Sequence, residues 1–145
     1  MAAWRTGAVL HVDIDQLRFA NAVLGHVEAD ALLKAMARLV ELVCDGELVA
    51  RITGARFAVF VRDAGHARTL ATAVCAVFAQ SFEVERAQIR AGAAAAGVID
   101  PVGPVLTVSI GLARVADHAG PEEALEAAKG LAGDAVTAGR NRVAG

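Results

Sequence analysis

Apolar residues follow two different periods along this chain, and the switches between them mark out its elements. Residues 8–14 read AVLHVDI, a short and mostly apolar run with β-branched members, which predicts a buried strand. The run closes on Asp13, Ile14 and Asp15, and strand alternation predicts both carboxylates on one face. Residues 16–24 predict a short helix that Gly25 stops. Across 28–43, Leu32, Leu33, Met36, Leu39, Val40 and Val43 recur at helical spacing, which predicts an amphipathic helix. After the turn signal Asp45-Gly46, residues 48–52 and 57–61 predict two strands. Thr53-Gly54-Ala55-Arg56 joins them as a hairpin, with Gly54 expected to supply the backbone latitude of the turn.

The second half repeats the alternation. Residues 66–79 predict a helix, and 84–96 either a second helix or an extension of the first. A loop is expected from 100 to 104. Residues 105–115, VLTVSIGLARV, form the clearest strand pattern. Pro121-Glu122-Glu123 opens a helix with proline early and acids in the first turn; it is expected to run to about residue 138, where Gly139 ends it. Residues 140–143 predict a short last strand. The order β-α-α-β-β-α-β-α-β predicts an α/β (α+β) domain: a mixed, mainly antiparallel sheet of about five strands flanked by helices, close to the split-βαβ palm type.

Bulk properties narrow the functional classes. A chain of 145 residues has the size of a single domain, and 56% apolar with 21% charged residues is a globular composition. The net charge of −2 and the few aromatics argue against a nucleic-acid surface. No apolar run approaches the ~20 residues of a membrane span, so the expected location is cytoplasmic, with no direct membrane insertion. Cys44 and Cys75 lie in apolar helical patterns without metal-site spacing and are expected to be buried free thiols. His11, His26, His66 and His118 are scattered, and none is placed with a nucleophile.

Four segments together resemble the diguanylate cyclase (GGDEF) family. HVDIDQLRFANAVLGHVEADALL resembles its D-I-D-x-F-K-x-x-N-D-x-x-G-H-x-x-G-D segment. ARITGARFAVFV stands where the family has its GGDEF turn, VLTVSIGLA resembles its T-V-S-I-G strand, and AGRNRV its closing G-R-N-R-V. The family order and nearly the family spacing are kept over most of the chain, so residues 1–145 are expected to be one degenerate GGDEF domain with the palm-like, nucleotide-cyclase-like fold. The family's lead-in turn and helix, D-x-L-T-x-L-x-N-R, has no counterpart here, and the stretch between Phe57 and Ser109 is about ten residues longer than usual.

The resemblance implies chemistry that joins two GTP molecules through positioning and charge neutralisation by two divalent ions. Its ligands are the first Asp of the D-I-D segment, the next carbonyl, and the acid at the third position of the turn. Asp13 and Ile14 match the first two and are read as vestigial. The turn itself reads Thr53-Gly54-Ala55-Arg56-Phe57: Ala55 replaces the catalytic acid and Arg56 the acid after it. That is a change of about three charge units, in a setting where one unit at ~4 Å is worth about 4 kcal/mol at intermediate dielectric. Mg²⁺ binding and catalysis are therefore not expected, and no other cofactor is required. Arg56 is expected either to pair with Asp13 or to lend its charge to a phosphate.

The nucleotide-binding positions are better kept. Asn21 and Asp30 match the residues that read guanine, where a carboxylate accepts from N1–H and N2. Arg18 and Arg140 match phosphate-binding cations, while Val136 replaces a lysine. The inhibitory R-x-x-D positions are Cys44 and Glu47, so no product-inhibition site of the usual kind is expected. Three readings follow: a pseudoenzyme of cyclic di-GMP signalling that binds GTP or another guanine nucleotide for a protein partner or attached signalling domain; an interaction or homodimerisation module with a vestigial pocket; or a weak diguanylate cyclase in which Asp15 replaces a lost ligand.

Overall fold

The computed structural model describes residues 5–99 and 103–145; the expected loop at 100–104 thus falls partly outside the described residues. In chain order the elements are β1 (Ala8–Ile14), α1 (Leu17–Leu24), α2 (His26–Val43), β2 (Leu48–Thr53), β3 (Arg56–Val61), α3 (Ala64–Ser81), α4 (Glu83–Ala96), β4 (Val108–Arg114), a 3₁₀ turn (Val115–Asp117), α5 (Pro121–Thr137) and β5 (Arg142–Ala144). The strands form one sheet in the order β2-β3-β1-β4-β5. β1 is antiparallel to both its neighbours, and β5 is parallel to β4. A parallel pair needs a crossover, and α5 supplies it.

The expected elements are present, and their ends differ where the backbone turns left-handed. Gln16 has φ 59°, so the first helix begins at Leu17. Leu106 has φ 60°, which keeps residues 105–107 out of β4. Arg140 at φ 65° and Asn141 at φ 49° delay β5 to Arg142. Residues 64–96 form two helices, because Phe82 (φ −116°, ψ 27°) leaves helical geometry. Its ring packs on Phe78 with centroids 5.4 Å apart. Asp63 caps α3 by accepting from the Gly65 N–H at 2.9 Å, satisfying one of the free amides of the first turn. The expected role of Gly54 is corrected: it is not left-handed, and a Cβ there would meet nothing nearer than 3.9 Å. The pairing instead shifts register between Arg51 and Thr53, as at a β-bulge.

Alternation along β1 divides the interior in two. Leu10, Val12 and Ile14 face the main core with Phe57 and Val59 of β3, Ile110 of β4, and Met36, Val40, Val74, Phe78 and Ile89 of the helices. Val9 faces the other side and packs with Ala113, Val115, Ala124 and Ala128. The buried residues of α5 are all alanines, Ala124, Ala128, Ala132 and Ala135. They let this helix lie close to β4 at Gly111, where a Cβ would fall 1.8 Å from the Ala128 oxygen and 2.5 Å from the Ala132 nitrogen. The alanine content thus does packing work in this helix as well as favouring helix formation. Among the described residues, no helix is long and apolar enough to cross a membrane.

Gly111→Ala should therefore lower stability by more than about 2 kcal/mol, because the clash is with helix backbone that has no rotamer to yield. Gly130→Ala and Gly133→Ala, on the same helix with nothing within 4 Å of the added carbon, should each raise stability by up to about 1 kcal/mol. Urea unfolding followed by circular dichroism measures all three.

Candidate functional site

The end of β1, the hairpin turn, the start of α1 and the segment after α5 converge on one shallow cleft. It has a volume of about 250 Å³ and is lined by Asp13 to Arg18, Ala55, Arg56, Val136 and Arg140. Asp13, Ile14, Arg18, Arg56 and Arg140, far apart in sequence, are thus brought together. Asn21 and Asp30 do not line this cleft. Both are exposed, Asn21 on α1 and Asp30 on α2, where it pairs with Lys34 at 3.2 Å. Thr53 and Gly54 are exposed at the turn, and Phe57 is a core residue.

Strand pairing sets the electrostatics. Asp13 stands opposite Arg56 in the β1–β3 register, and Arg56 Nε lies 3.8 Å from Asp13 Oδ2. That is an ion pair, too long for a good hydrogen bond. Burial raises the Asp13 pKa above the usual carboxylate range; Arg56 opposes that rise, Asp15 adds to it, and Arg140 opposes it. The expected Arg56–Asp13 pairing is therefore present. Ala55 has its carbonyl on the Ile14 N–H at 2.9 Å and packs against the core. The position that the family resemblance gives to an acid is held by a methyl group turned to apolar neighbours.

These residues do not suit a divalent ion. A hard cation such as Mg²⁺ takes oxygen ligands in a near-octahedral shell. Here one carboxylate faces a guanidinium, and the neighbouring turn supplies no second acid. Among the described residues, no group of three or more His, Cys, Asp or Glu side chains is placed to hold a metal.

Asp15 differs from Asp13, although alternation predicts a shared face. It lies just past the strand end and is 2% exposed. Its Oδ2 accepts from Thr107 Oγ1 at 2.7 Å and from the Asn141 N–H at 3.1 Å, and its Oδ1 accepts from Ser109 Oγ at 2.6 Å. Both oxygens are engaged inside the protein. Sequence reasoning missed Thr107 and Ser109 as partners; the signal was two hydroxyls two residues apart in the otherwise apolar run 105–110. It also missed Gln16, whose Nε2 donates to the Pro104 carbonyl at 3.1 Å.

Cys44 and Glu47, the positions that match the family's inhibitory R-x-x-D pattern, make contacts within the fold. Cys44 is buried, and burial pushes its thiol up to about 11. Glu47 accepts from the Arg62 N–H at 3.1 Å and lies 4.0 Å from Arg62 Nε. Cys75 is likewise a free buried thiol, pushed up to about 12 by burial.

Comparisons with known proteins agree with this architecture. Residues 3–142 match the family described as "Diguanylate cyclase, GGDEF domain". No curated protein matches the chain. Among solved structures, the active GGEEF domain of a diguanylate cyclase from Vibrio cholerae is similar at TM-score 0.72 and 21% identity, with 95% of this chain and 81% of that one covered. An EAL/GGDEF domain protein from M. capsulatus is similar at TM-score 0.63 and 29% identity, covering 95% and 83%. The GGDEF domain of DgcB from Caulobacter crescentus, solved in complex with c-di-GMP, is similar at TM-score 0.71 and 21% identity, covering 95% and 74%.

Arg56 also acts on His11, which is buried with no hydrogen-bond partner at Nδ1. Burial lowers its pKa, Arg56 and Lys129 lower it further, and Glu126 partly offsets them. A folded pKa below the unfolded value of about 6.5 means that the unfolded chain binds the proton first. Its contribution is intact above about pH 6.5 and is lost as pH falls towards the lowered folded value. Urea midpoints should fall between pH 7.5 and pH 5, and His11→Leu should fall less over the same window. An equal fall in both proteins would remove His11 from the acid response.

Proposed function

The chain belongs to the diguanylate cyclase GGDEF domain family, and from that premise we propose that it is a pseudoenzyme that binds a guanine nucleotide without a metal. The observation that carries this reading is the Asp13–Arg56 pair at 3.8 Å, in a cleft that also contains Arg18 and Arg140. Three guanidinium groups against the carboxylates of Asp13 and the buried Asp15 leave the cleft net cationic, which suits phosphate oxygens. Arg56 then takes over part of the charge that the family assigns to its ions. Asn21 and Asp30 read the base, with Asp30 leaving its exposed partner Lys34, a surface pair worth no more than about 1 kcal/mol. Bound nucleotide reports to a protein partner or to an attached signalling domain.

Loss of turnover follows from the donor set. Neither Ala55 nor Arg56 can accept a proton or hold an ion. Asp15 is not a substitute, because both its oxygens already accept hydrogen bonds in the interior. Withdrawing them would strand the Thr107 and Ser109 hydroxyls. A second reading, an interaction module, draws on the edge strand β2, which exposes Leu48 and Ile52 beside unpaired backbone groups.

Calorimetry decides between these readings. GTP should bind with the same affinity in magnesium and in EDTA, and Arg56→Ala should weaken it by about tenfold. Affinity that requires magnesium would contradict the role of Arg56. Absence of binding at millimolar GTP would reject nucleotide recognition and leave the interaction module. No cyclic di-GMP should form, and the double change Ala55→Glu with Arg56→Glu should restore weak activity at best.

A further inference from the structure

We propose that Asp15 is the positioning residue of the cleft: its buried carboxylate holds the Arg140–Asn141 turn left-handed and so presents the Arg140 guanidinium to a phosphate. The assignment rests on the cleft being a phosphate site, as argued above. It begins from the backbone. Among the described residues, four that carry a Cβ are left-handed: Gln16, Leu106, Arg140 and Asn141. Such conformations are unfavourable for residues with side chains and persist where surroundings impose them. All four lie around Asp15. Gln16 follows it in the chain, the Leu106 N–H donates to its carbonyl at 2.9 Å, and the Asn141 N–H donates to its Oδ2 at 3.1 Å.

The turn is pinned at three points. The Arg140 N–H donates to the Ala135 carbonyl at 2.9 Å, and Arg142 Nε donates to the Arg140 carbonyl at 2.9 Å. Both of those bonds come from α5 or from the turn's own neighbourhood. The bond that the Asn141 N–H donates to Asp15 ties the turn to the end of β1, the strand that carries Asp13. Arg140 Nη1 lies 3.7 Å from where a Cβ on Gly103 would sit, so the guanidinium runs past that glycine. Three donors converge on the carboxylate: the two hydroxyls of Thr107 and Ser109 and the Asn141 amide. An acceptor-only group satisfies all three at once, and a hydrophobic side chain would strand them. Asp15 touches no ligand itself; it acts through Arg140.

A double-mutant cycle separates positioning from general stability. GTP and guanosine affinities are measured by calorimetry for the wild type, Asp15→Ala, Arg140→Ala and the double variant. Asp15→Ala should weaken GTP binding about tenfold, leave guanosine affinity within about twofold, and add nothing in the Arg140→Ala background. Asp15→Asn should retain wild-type GTP affinity, because its amide oxygen still accepts from Asn141 and its NH₂ can donate to Ser109. Equal losses in both backgrounds, or a parallel loss of guanosine binding, would overturn the positioning role. Amide hydrogen exchange tests the clamp without any ligand or variant. In the wild type, the Asn141 amide should be protected to a degree comparable with the Ile110 amide of β4; exchange at the rate of an exposed loop would overturn the proposal even if Asp15→Ala fails to fold. If wild-type protein binds no GTP while the Asn141 amide is protected, the nucleotide reading falls, and the phosphate role of Asp15 falls with it. The clamp then remains as a structural element alone.

Discussion

The antiparallel pairing of β1 with β3 decides what this site can be. That register places Asp13 directly across from Arg56, so the residue after Ala55 faces the partly exposed carboxylate of the cleft. A guanidinium there competes with any cation for the same oxygen. The pair is partly exposed, and its contribution to stability is correspondingly small. In the proposed reading, a positive group at this position disfavours a divalent ion and favours a phosphate.

Around that pair the domain divides the labour between two carboxylates two residues apart. Asp13 remains at the cleft, and burial sets its proton affinity against the two arginines. Asp15 is withdrawn and serves as the junction of β1, the start of β4 and the entry to β5. The sheet can afford this junction because α5 approaches β4 through alanines and Gly111. That close approach carries the segment after the helix, with Arg140, to the same end of the sheet.

Much of the fold is legible in the sequence. The strand at 8–14 and the helix after Pro121 follow from period and start signals that are local and strong. The ends of the elements were less legible: Gln16, Leu106, Arg140 and Asn141 carry no glycine to announce a left-handed backbone, and tertiary hydrogen bonds impose it. The contrast between Asp13 and Asp15 was hidden for the same reason, since both look alike in the alternation and only partners 92 to 126 residues away in the chain distinguish them. The Arg56–Asp13 pairing was readable, because hairpin register and charge type together point to it.

A crystal structure grown with a non-hydrolysable GTP analogue and magnesium tests whether Arg56 stands in for the metal. A triphosphate should lie against Arg18, Arg56 and Arg140, with no metal ion between it and Asp13. Two magnesium ions bound to the Asp13 carboxylate and the Ile14 carbonyl, with Arg56 swung aside, would contradict that role.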